Sequence, residues 1–348
     1  MAIDRASEAT GTEFSFGFAA EPEGGGEDRL PPGTGPYALA WRRLRRNRGA
    51  LFFGVVFLLV LALCLLAPVY ANDIAHTGPN DNHISEVVKV GGKSETVLSS
   101  IGLPIGPTWQ SKFFLGADQN GRDEAVRLLY GGRTSLEVGA IATLLTIVLA
   151  VIVGLFAGYF GGVLDFLLSQ TLNIIWAYPV YILGVALGVS LAVGGLGPLH
   201  GNSLLVPAFV IGIVYIPYVA KPIRGQVLGL REREFVDAAR VQGLSDLRIM
   251  ATEILPNLAS TIIVFVPLML ANAILLEAGL SYLGAGVQPP NSSWGTMISD
   301  GVRIGVPGAI HLVLVPGLML VIAVLSANVF GDGVRDALDP RAKIRLSH

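Results

Sequence analysis

Six apolar stretches, set apart by polar segments, lay out this chain. They occupy residues 51–70, 136–159, 164–191, 205–220, 258–280 and 310–330. A helix crossing about 30 Å of hydrocarbon needs roughly 20 apolar residues, so each stretch predicts a transmembrane helix. The fourth is short and holds Pro207 and Pro217, which predicts a kink, and Asp165 and Gln170 blur the start of the third. In lipid the backbone must satisfy its own polar groups. The expectation is an all-α polytopic membrane protein with six transmembrane helices.

Composition agrees with the pattern. Of 348 residues 52% are hydrophobic and 14% charged, against roughly 25% charged in a soluble domain. The net charge of -2 points to neither nucleic acid nor an acidic partner. The 43 glycines suit close helix packing in lipid. The single cysteine, Cys64, excludes an intrachain disulfide. Residues 1–40 read as a disordered tail, because Glu21-Pro-Glu-Gly-Gly-Gly-Glu-Asp28 and Pro31-Pro-Gly-Thr-Gly-Pro36 offer little to a core. A basic flank and first span follow at 41–70. Next come a loop at 71–133, a transmembrane domain at 134–331 with a polar insert at 221–257, and a tail at 332–348.

Basic residues are unevenly placed, and they set the direction of the spans. Trp41-Arg-Arg-Leu-Arg-Arg-Asn-Arg48 precedes the first span and puts the N-terminus in the cytoplasm. Six spans then place the C-terminal tail there too, with Arg335, Arg341, Lys343 and Arg345, together with the 221–257 insert and its six basic residues. The loop at 71–133 falls outside. The short outer loops are almost free of positive charge, Arg303 being the exception.

The insert carries most of the functional information. Phe235-Val-Asp-Ala-Ala-Arg-Val-Gln-Gly-Leu-Ser-Asp-Leu-Arg-Ile-Met-Ala-Thr-Glu-Ile-Leu-Pro-Asn257 reads as two brief helices broken at Gly243, with Ser245 capping the second and Pro256 closing it. Asp237 on the first helix suits the positive end of a helix dipole, and Ala238 and Ala239 suit helix propensity. A rigid helix pair between two spans also suits docking, since a partner pushing on it moves both flanking helices. The layout resembles the EAA loop of bacterial ABC-importer permeases, with Asp237 in place of the usual Glu and Glu253 where a His is common before Ile-Leu255-Pro256.

Three further segments are similar to dipeptide and oligopeptide permeases. They are Leu115-Gly-Ala-Asp-Gln-Asn-Gly-Arg-Asp123 with Leu128-Leu-Tyr-Gly-Gly-Arg-Thr-Ser-Leu136, then Leu280-Ser-Tyr-Leu-Gly-Ala-Gly-Val-Gln-Pro-Pro290 with Ser293-Trp-Gly295, and Gly331-Asp-Gly-Val-Arg-Asp-Ala-Leu-Asp-Pro-Arg341. The chain as a whole resembles the C-type permease subunit of a dipeptide/oligopeptide/nickel ABC importer. The resemblance implies a fold of the type I importer permease kind, with a cytoplasmic coupling helix pair between the fourth and fifth spans. It implies a multi-pass protein of the bacterial inner membrane. It also implies a heterodimer with a sister permease, two cytoplasmic ATP-binding subunits and an extracytoplasmic solute-binding protein. Coupling to the ATPase falls on Asp237, Ala238, Ala239, Gly243, Glu253, Leu255 and Pro256.

Candidates for the substrate path are ionisable groups in or beside spans: Glu277, Glu137, Asp118, Arg122 and Asp123. Each has a plainer reading as well. Asp118 and Gly121 suit a tight turn, Arg122 and Asp123 a solvated pair, and Glu277 or Glu137 a wet cavity near the interface. Gly91-Gly-Lys-Ser94 is a flexible turn and not a phosphate-binding loop, because the glycine that motif requires falls on Val87. The chain is therefore expected to be no enzyme and to need no cofactor. His76, His83, His200 and His311 lack partners at metal-ligand spacing, so no metal site is expected. The competing function is an ATPase-independent secondary transporter or channel subunit, which would show an internal repeat and a polar midplane site.

Overall fold

A computed structural model describes residues 36–195, 199, 201, 203–305 and 309–338. Its first elements are α1 (Pro36–Arg46) and α2 (Arg48–Leu65), hinged at Asn47, whose side chain accepts a hydrogen bond from the Ala50 amide at 3.0 Å. A short α3 (Ala67–Val69) and a π-helical turn at Tyr70–Ala75 lead into a hairpin of β1 (Val87–Val90) and β2 (Lys93–Thr96). Val90 pairs with Lys93, so Gly91 and Gly92 form a two-residue connection at φ +59° and +83°. Both positive φ values are those a tight hairpin turn demands. Gly91-Gly92 is thus a strand connection and Lys93-Ser94 open β2, a hairpin that hydrophobic patterning alone did not reveal.

The helical body follows: α4 (Glu124–Phe160), α5 (Gly162–Ala177), α6 (Val180–Gly194), α7 (Leu205–Val214), α8 (Ile216–Leu230), α9 (Glu234–Val241), α10 (Asp246–Ile249), α11 (Leu255–Tyr282), α12 (Trp294–Ile304) and α13 (His311–Leu338). Among the described residues, four helical runs are long and apolar enough to cross a membrane: Arg48–Leu65, Glu124–Phe160, Asp246–Tyr282 and His311–Leu338. Two bent pairs raise the number to six if each is one span. The α5–α6 pair bends by 96° before Pro179, and the α7–α8 pair by 41° at Tyr215, just before Pro217. The kink expected from Pro217 is there.

Helix ends depart from the apolar boundaries in consistent ways. The second span starts at Glu124, twelve residues before 136, because Asp123 caps it and the intervening residues pack against protein. The last helix runs on to Leu338, past the end of its apolar stretch. Pro256 does not close the second helix of the insert. Helix continues from α10 through a π-helical turn at Met250–Ile254 into α11, so the run from Asp246 to Tyr282 is unbroken. A proline in the first turn of α11 forfeits an amide that needs no α-helical partner there.

Helix α4 is the axis of the body, and three apolar clusters meet on it. Leu155 and Tyr159 pack with Ile223 and Val227 of α8 and Ile254. Val138 and Ala142 pack with Ile211 of α7 and Leu276 of α11. Leu128 and Leu136 pack with Cys64 of α2, Trp294 of α12 and Ala323 of α13. The α4–α8 contact is close because Gly154-Leu-Phe-Ala-Gly158 is a small-xxx-small stripe. A Cβ on Gly154 would lie 2.8 Å from the Ala220 carbonyl oxygen, and one on Gly158 2.7 Å from Val227 Cβ. Helices α8, α11 and α13 each carry an internal proline (Pro222, Pro267 and Pro316), whereas α4 has none. Phe52, Leu58, Phe166 and Ile182 lie exposed on the outside of the bundle, a surface suited to lipid or to another apolar chain.

Candidate functional site

Three sites are built around α4: the 221–257 insert at its Tyr159 end, a charged pocket at its Asp123 end, and a cavity alongside α8, α11 and α13. With 37 residues at 1.5 Å each, α4 is about 55 Å long, so the first two lie far apart.

The insert is anchored from beneath. Val236 and Ala239 of α9 and Ile249 and Ile254 beyond it are buried in the cluster with Tyr159 and Val227. The Tyr159 hydroxyl donates to Asp246 Oδ1 at 2.6 Å, and Arg231 donates to the Gly158 carbonyl at 3.0 Å. Helix α9 ends in a Schellman motif: the Leu244 amide reaches the Ala239 carbonyl at 3.2 Å and the Gly243 amide the Arg240 carbonyl at 2.9 Å. Gly243 sits at φ +79° with open space where a Cβ would be, so its glycine is a backbone requirement. Ser245 stands at the cap position of α10 but its hydroxyl makes no capping bond.

Opposite this base the insert is bare. Asp237 and Ala238 are exposed, and Asp237 accepts a hydrogen bond from Arg240 at 3.0 Å. Val241 is 89% exposed and Leu247 64%, and Phe235 is exposed as well. Ala239 turns inward at 4%. Glu253 is half-buried and accepts from the Thr252 hydroxyl at 3.2 Å, Leu255 is half-buried, and Pro256 is exposed. Val241 and Leu247 escaped the sequence reading, because their apolar character looks the same whether it faces the core or solvent.

At the other end, Asp118 holds a turn. Its Oδ1 accepts from the Asn120 and Arg122 amides at 2.8 and 3.0 Å, and its Oδ2 pairs with Arg122 at 2.6 Å and Arg127 at 3.4 Å. Asp123 is wholly buried. Its carboxylate accepts from the Phe113 amide at 2.5 Å and, as the α4 N-cap, from Ala125 and Val126 at 2.9 and 3.1 Å. Burial pushes its pKa up while those three amides pull it down. Replacing Asp123 by Ala is expected to cost about 2 kcal/mol, as caps and buried acceptors do. Thermal unfolding in detergent should then fall by roughly 4 °C, less for Asp123→Asn, and an unchanged midpoint would contradict this role.

The pocket beside this turn has a volume of about 430 Å³ and is walled by Arg122, Arg127, Asp300, Arg303 and the 284–291 segment. Burial raises the pKa of Asp300, and Arg127, Arg122 and Arg303 counter the shift. Glu277 is fully buried and accepts from the Ser281 hydroxyl at 2.6 Å, and Ser281 itself lines the pocket. Glu137 does not join this group; it is exposed on the flank of α4. The Ser293-Trp-Gly segment is a packing device: Ser293 and Thr296 form a capping box, and the buried Trp294 indole donates to the Leu128 carbonyl at 3.1 Å.

The third site is a cavity of about 830 Å³ among α8, α11 and α13. Its wall mixes rings and polar groups. Trp176 stacks on Tyr218 with centroids 6.0 Å apart, Lys221 Nζ lies 5.0 Å from the Trp176 centroid, and Thr261 donates to Gln226 at 2.9 Å. Asp332 and Arg335 also line the cavity. The Gly331-Asp-Gly333 segment brings them there, since a Cβ on Gly331 would press on Pro267 of α11 at 3.0 Å. Asp339, Pro340 and Arg341 of the same motif lie outside the described residues. Among the described residues, no group of three or more His, Cys, Asp or Glu side chains is placed to hold a metal.

A helical body with four to six apolar runs, polar devices at both ends and a cavity along its length defines a multi-pass membrane protein. The chain belongs to the binding-protein-dependent transport system inner membrane component family, whose description matches residues 150–344, and residues 35–85 match the N-terminal transmembrane domain of oligopeptide transport permease C. It is 36% identical over 312 residues to a putative peptide transport system permease protein of Brucella suis biovar 1, covering 90% of this chain and 94% of that one. It is 34% identical to the dipeptide transport system permease protein DppC of Alkalihalophilus pseudofirmus, covering 88% and 91%. Against the di/tripeptide permease DppC of Pseudomonas aeruginosa the identity is 34%, covering 87% and 91%. The protein is thus a multi-pass transport component of the inner membrane.

Proposed function

We propose that this chain is one of two permease subunits of an ATP-driven, binding-protein-dependent peptide importer. A sister permease completes the conduit, two cytoplasmic ATP-binding subunits drive it, and an extracytoplasmic solute-binding protein delivers the peptide. The relatives named for peptide and dipeptide transport support the substrate class. The chain crosses the membrane six times, each bent pair counting once, with both termini and the 221–257 insert in the cytoplasm.

The observation that carries this reading is the two-sided build of the insert. Its inner side is locked to α4 and α8 by Val236, Ala239 and the Tyr159–Asp246 bond. Its outer side presents Phe235, Ala238, Val241 and Leu247, apolar and uncovered next to the Asp237–Arg240 pair. Apolar side chains on a polar, solvent-directed loop suit a partner that buries them, and an ATPase subunit is the partner the family supplies. Asp237 and Ala238 belong to that contact face, and Ala239 to its base. Gly243 makes the turn. Glu253, Leu255 and Pro256 carry the movement into α11. The 830 Å³ cavity forms this subunit's half of the path, its aromatic wall suited to varied side chains and its few polar groups to a peptide backbone. Its lining adds Lys221, Gln226, Asp332 and Arg335 to the earlier path candidates.

The test is reconstitution with the sister permease, ATPase subunits and binding protein in proteoliposomes. Labelled di- and tripeptides should accumulate only when ATP and the binding protein are both supplied. Uptake driven by an ion gradient without the ATPase subunits would overturn the proposal.

A further inference from the structure

We propose that the pocket at the Asp123 end of α4 is a receiving subsite for a free dipeptide, Asp300 taking the α-ammonium and Arg303 the α-carboxylate. The inference rests on the importer reading and specifies where that importer first holds its cargo. The two residues lie one turn apart on α12 and line the same cavity. Neither has an ion-pair or hydrogen-bond partner among the described residues. Their neighbours behave differently: Arg122 is committed to Asp118 at 2.6 Å, and Arg127 reaches both Asp118 at 3.4 Å and the Pro79 carbonyl at 3.1 Å. Asp300 is half-buried in the pocket and Arg303 is exposed at its rim; with no direct partner among the described residues, the two are open to opposite charges on one ligand.

Size and charge fit a dipeptide. A volume of about 430 Å³ lies within the range of small-molecule sites, roughly 300–1,000 Å³. Side chains three apart on a helix have Cβ atoms about 5–6 Å apart, and two extended residues span about 7 Å. A dipeptide can therefore reach both anchors, whereas a longer peptide engages one at a time. Asp118 and Asp300 share the walls of the pocket and its inner recess with Arg122, Arg127 and Arg303, so groups of both signs face the space, which suits a zwitterion.

A second observation points to the ammonium. Glu124 is only 2% exposed, and its Oε1 has no hydrogen-bond partner. It lines a water-sized recess with Asp300 and Arg127, two residues that also line the main pocket. A buried acceptor left without a donor is costly, and an –NH₃⁺ group seated on Asp300 brings three donors to the mouth of that recess.

The experiment uses the complex of both permeases and the ATPase subunits in nanodiscs, without binding protein. Binding of labelled alanyl-alanine is read by equilibrium dialysis. The wild-type complex should bind it saturably, at least tenfold more tightly than N-acetyl-alanyl-alanine or alanyl-alaninamide compete. Asp300→Asn should abolish the preference for a free amino terminus, and Arg303→Gln the preference for a free carboxylate. Each loss should be specific to its own terminus, which general misfolding cannot mimic. No saturable binding to the wild type, or unchanged preferences in both variants, would overturn the subsite. ATP-driven uptake of alanyl-alanine by the wild-type complex with binding protein is measured in parallel. Uptake with unchanged preferences removes the subsite and leaves the importer standing, whereas absence of ATP-driven uptake removes both.

Discussion

Glutamate at both Val241 and Leu247 should leave the chain folded and inserted yet cut ATP-driven uptake at least about 30-fold. The two side chains are 89% and 64% exposed, so the chain itself loses almost no packing when they change. The cost falls on the complex. Truncating or charging a central interface residue typically costs about 2 kcal/mol or more, and every 1.4 kcal/mol is about tenfold in affinity. Uptake in proteoliposomes and co-purification of the ATPase subunits should fall together. Wild-type uptake by the double variant at equal abundance would show that the ATPase does not rest on this crest. The neighbouring Ala239 gives a contrasting result, because a large residue there disturbs the base and lowers the stability of the chain itself.

Gly154→Leu should have the second large effect, through folding. A Cβ at this position already meets the Ala220 carbonyl oxygen at 2.8 Å and Ile223 Cγ2 at 2.9 Å. The first of these is backbone and cannot rotate away, so α4 and α8 must separate. Overpacking of this kind costs about 3 kcal/mol. The insert stands on the same contact, since Val227 and Ile223 of α8 pack with Val236 and Ile254. Monodisperse yield in detergent and the thermal midpoint should both drop sharply, with Gly154→Ala intermediate. A Gly154→Leu protein as stable as the wild type would refute the close-packed α4–α8 contact.

Hydrophobic runs showed where the long apolar helices lie: four of the six are continuous helical runs and the other two are bent pairs. They placed helix ends poorly. Ends are set by caps and tertiary contacts, as where Asp123 starts α4 well before residue 136. Pro256 read as a terminator because a proline usually ends an α-helix; the π-helical turn before it removes that constraint. Asp123 and Glu277 stood out as charges near spans. Both are buried, Asp123 holding three amides and Glu277 holding Ser281. The cavity lined by Lys221, Gln226 and Asp332 was invisible, since its walls come from helices far apart in sequence. That Asp300 and Arg303 share a cavity with Gln119, Asn120 and Arg122 was equally invisible, because those residues lie far earlier in the chain.

The distribution of prolines implies a division of labour during turnover. An internal proline removes one ladder bond and lets a helix flex locally, and Pro222, Pro267 and Pro316 give α8, α11 and α13 one such point each. The proline-free α4 is then expected to act as the mast of the molecule, and the other three as booms that bend at their prolines. Spin labels at the two extremities of the mast should keep a fixed separation through the ATP cycle, while labels on either side of each boom's proline drift apart and return.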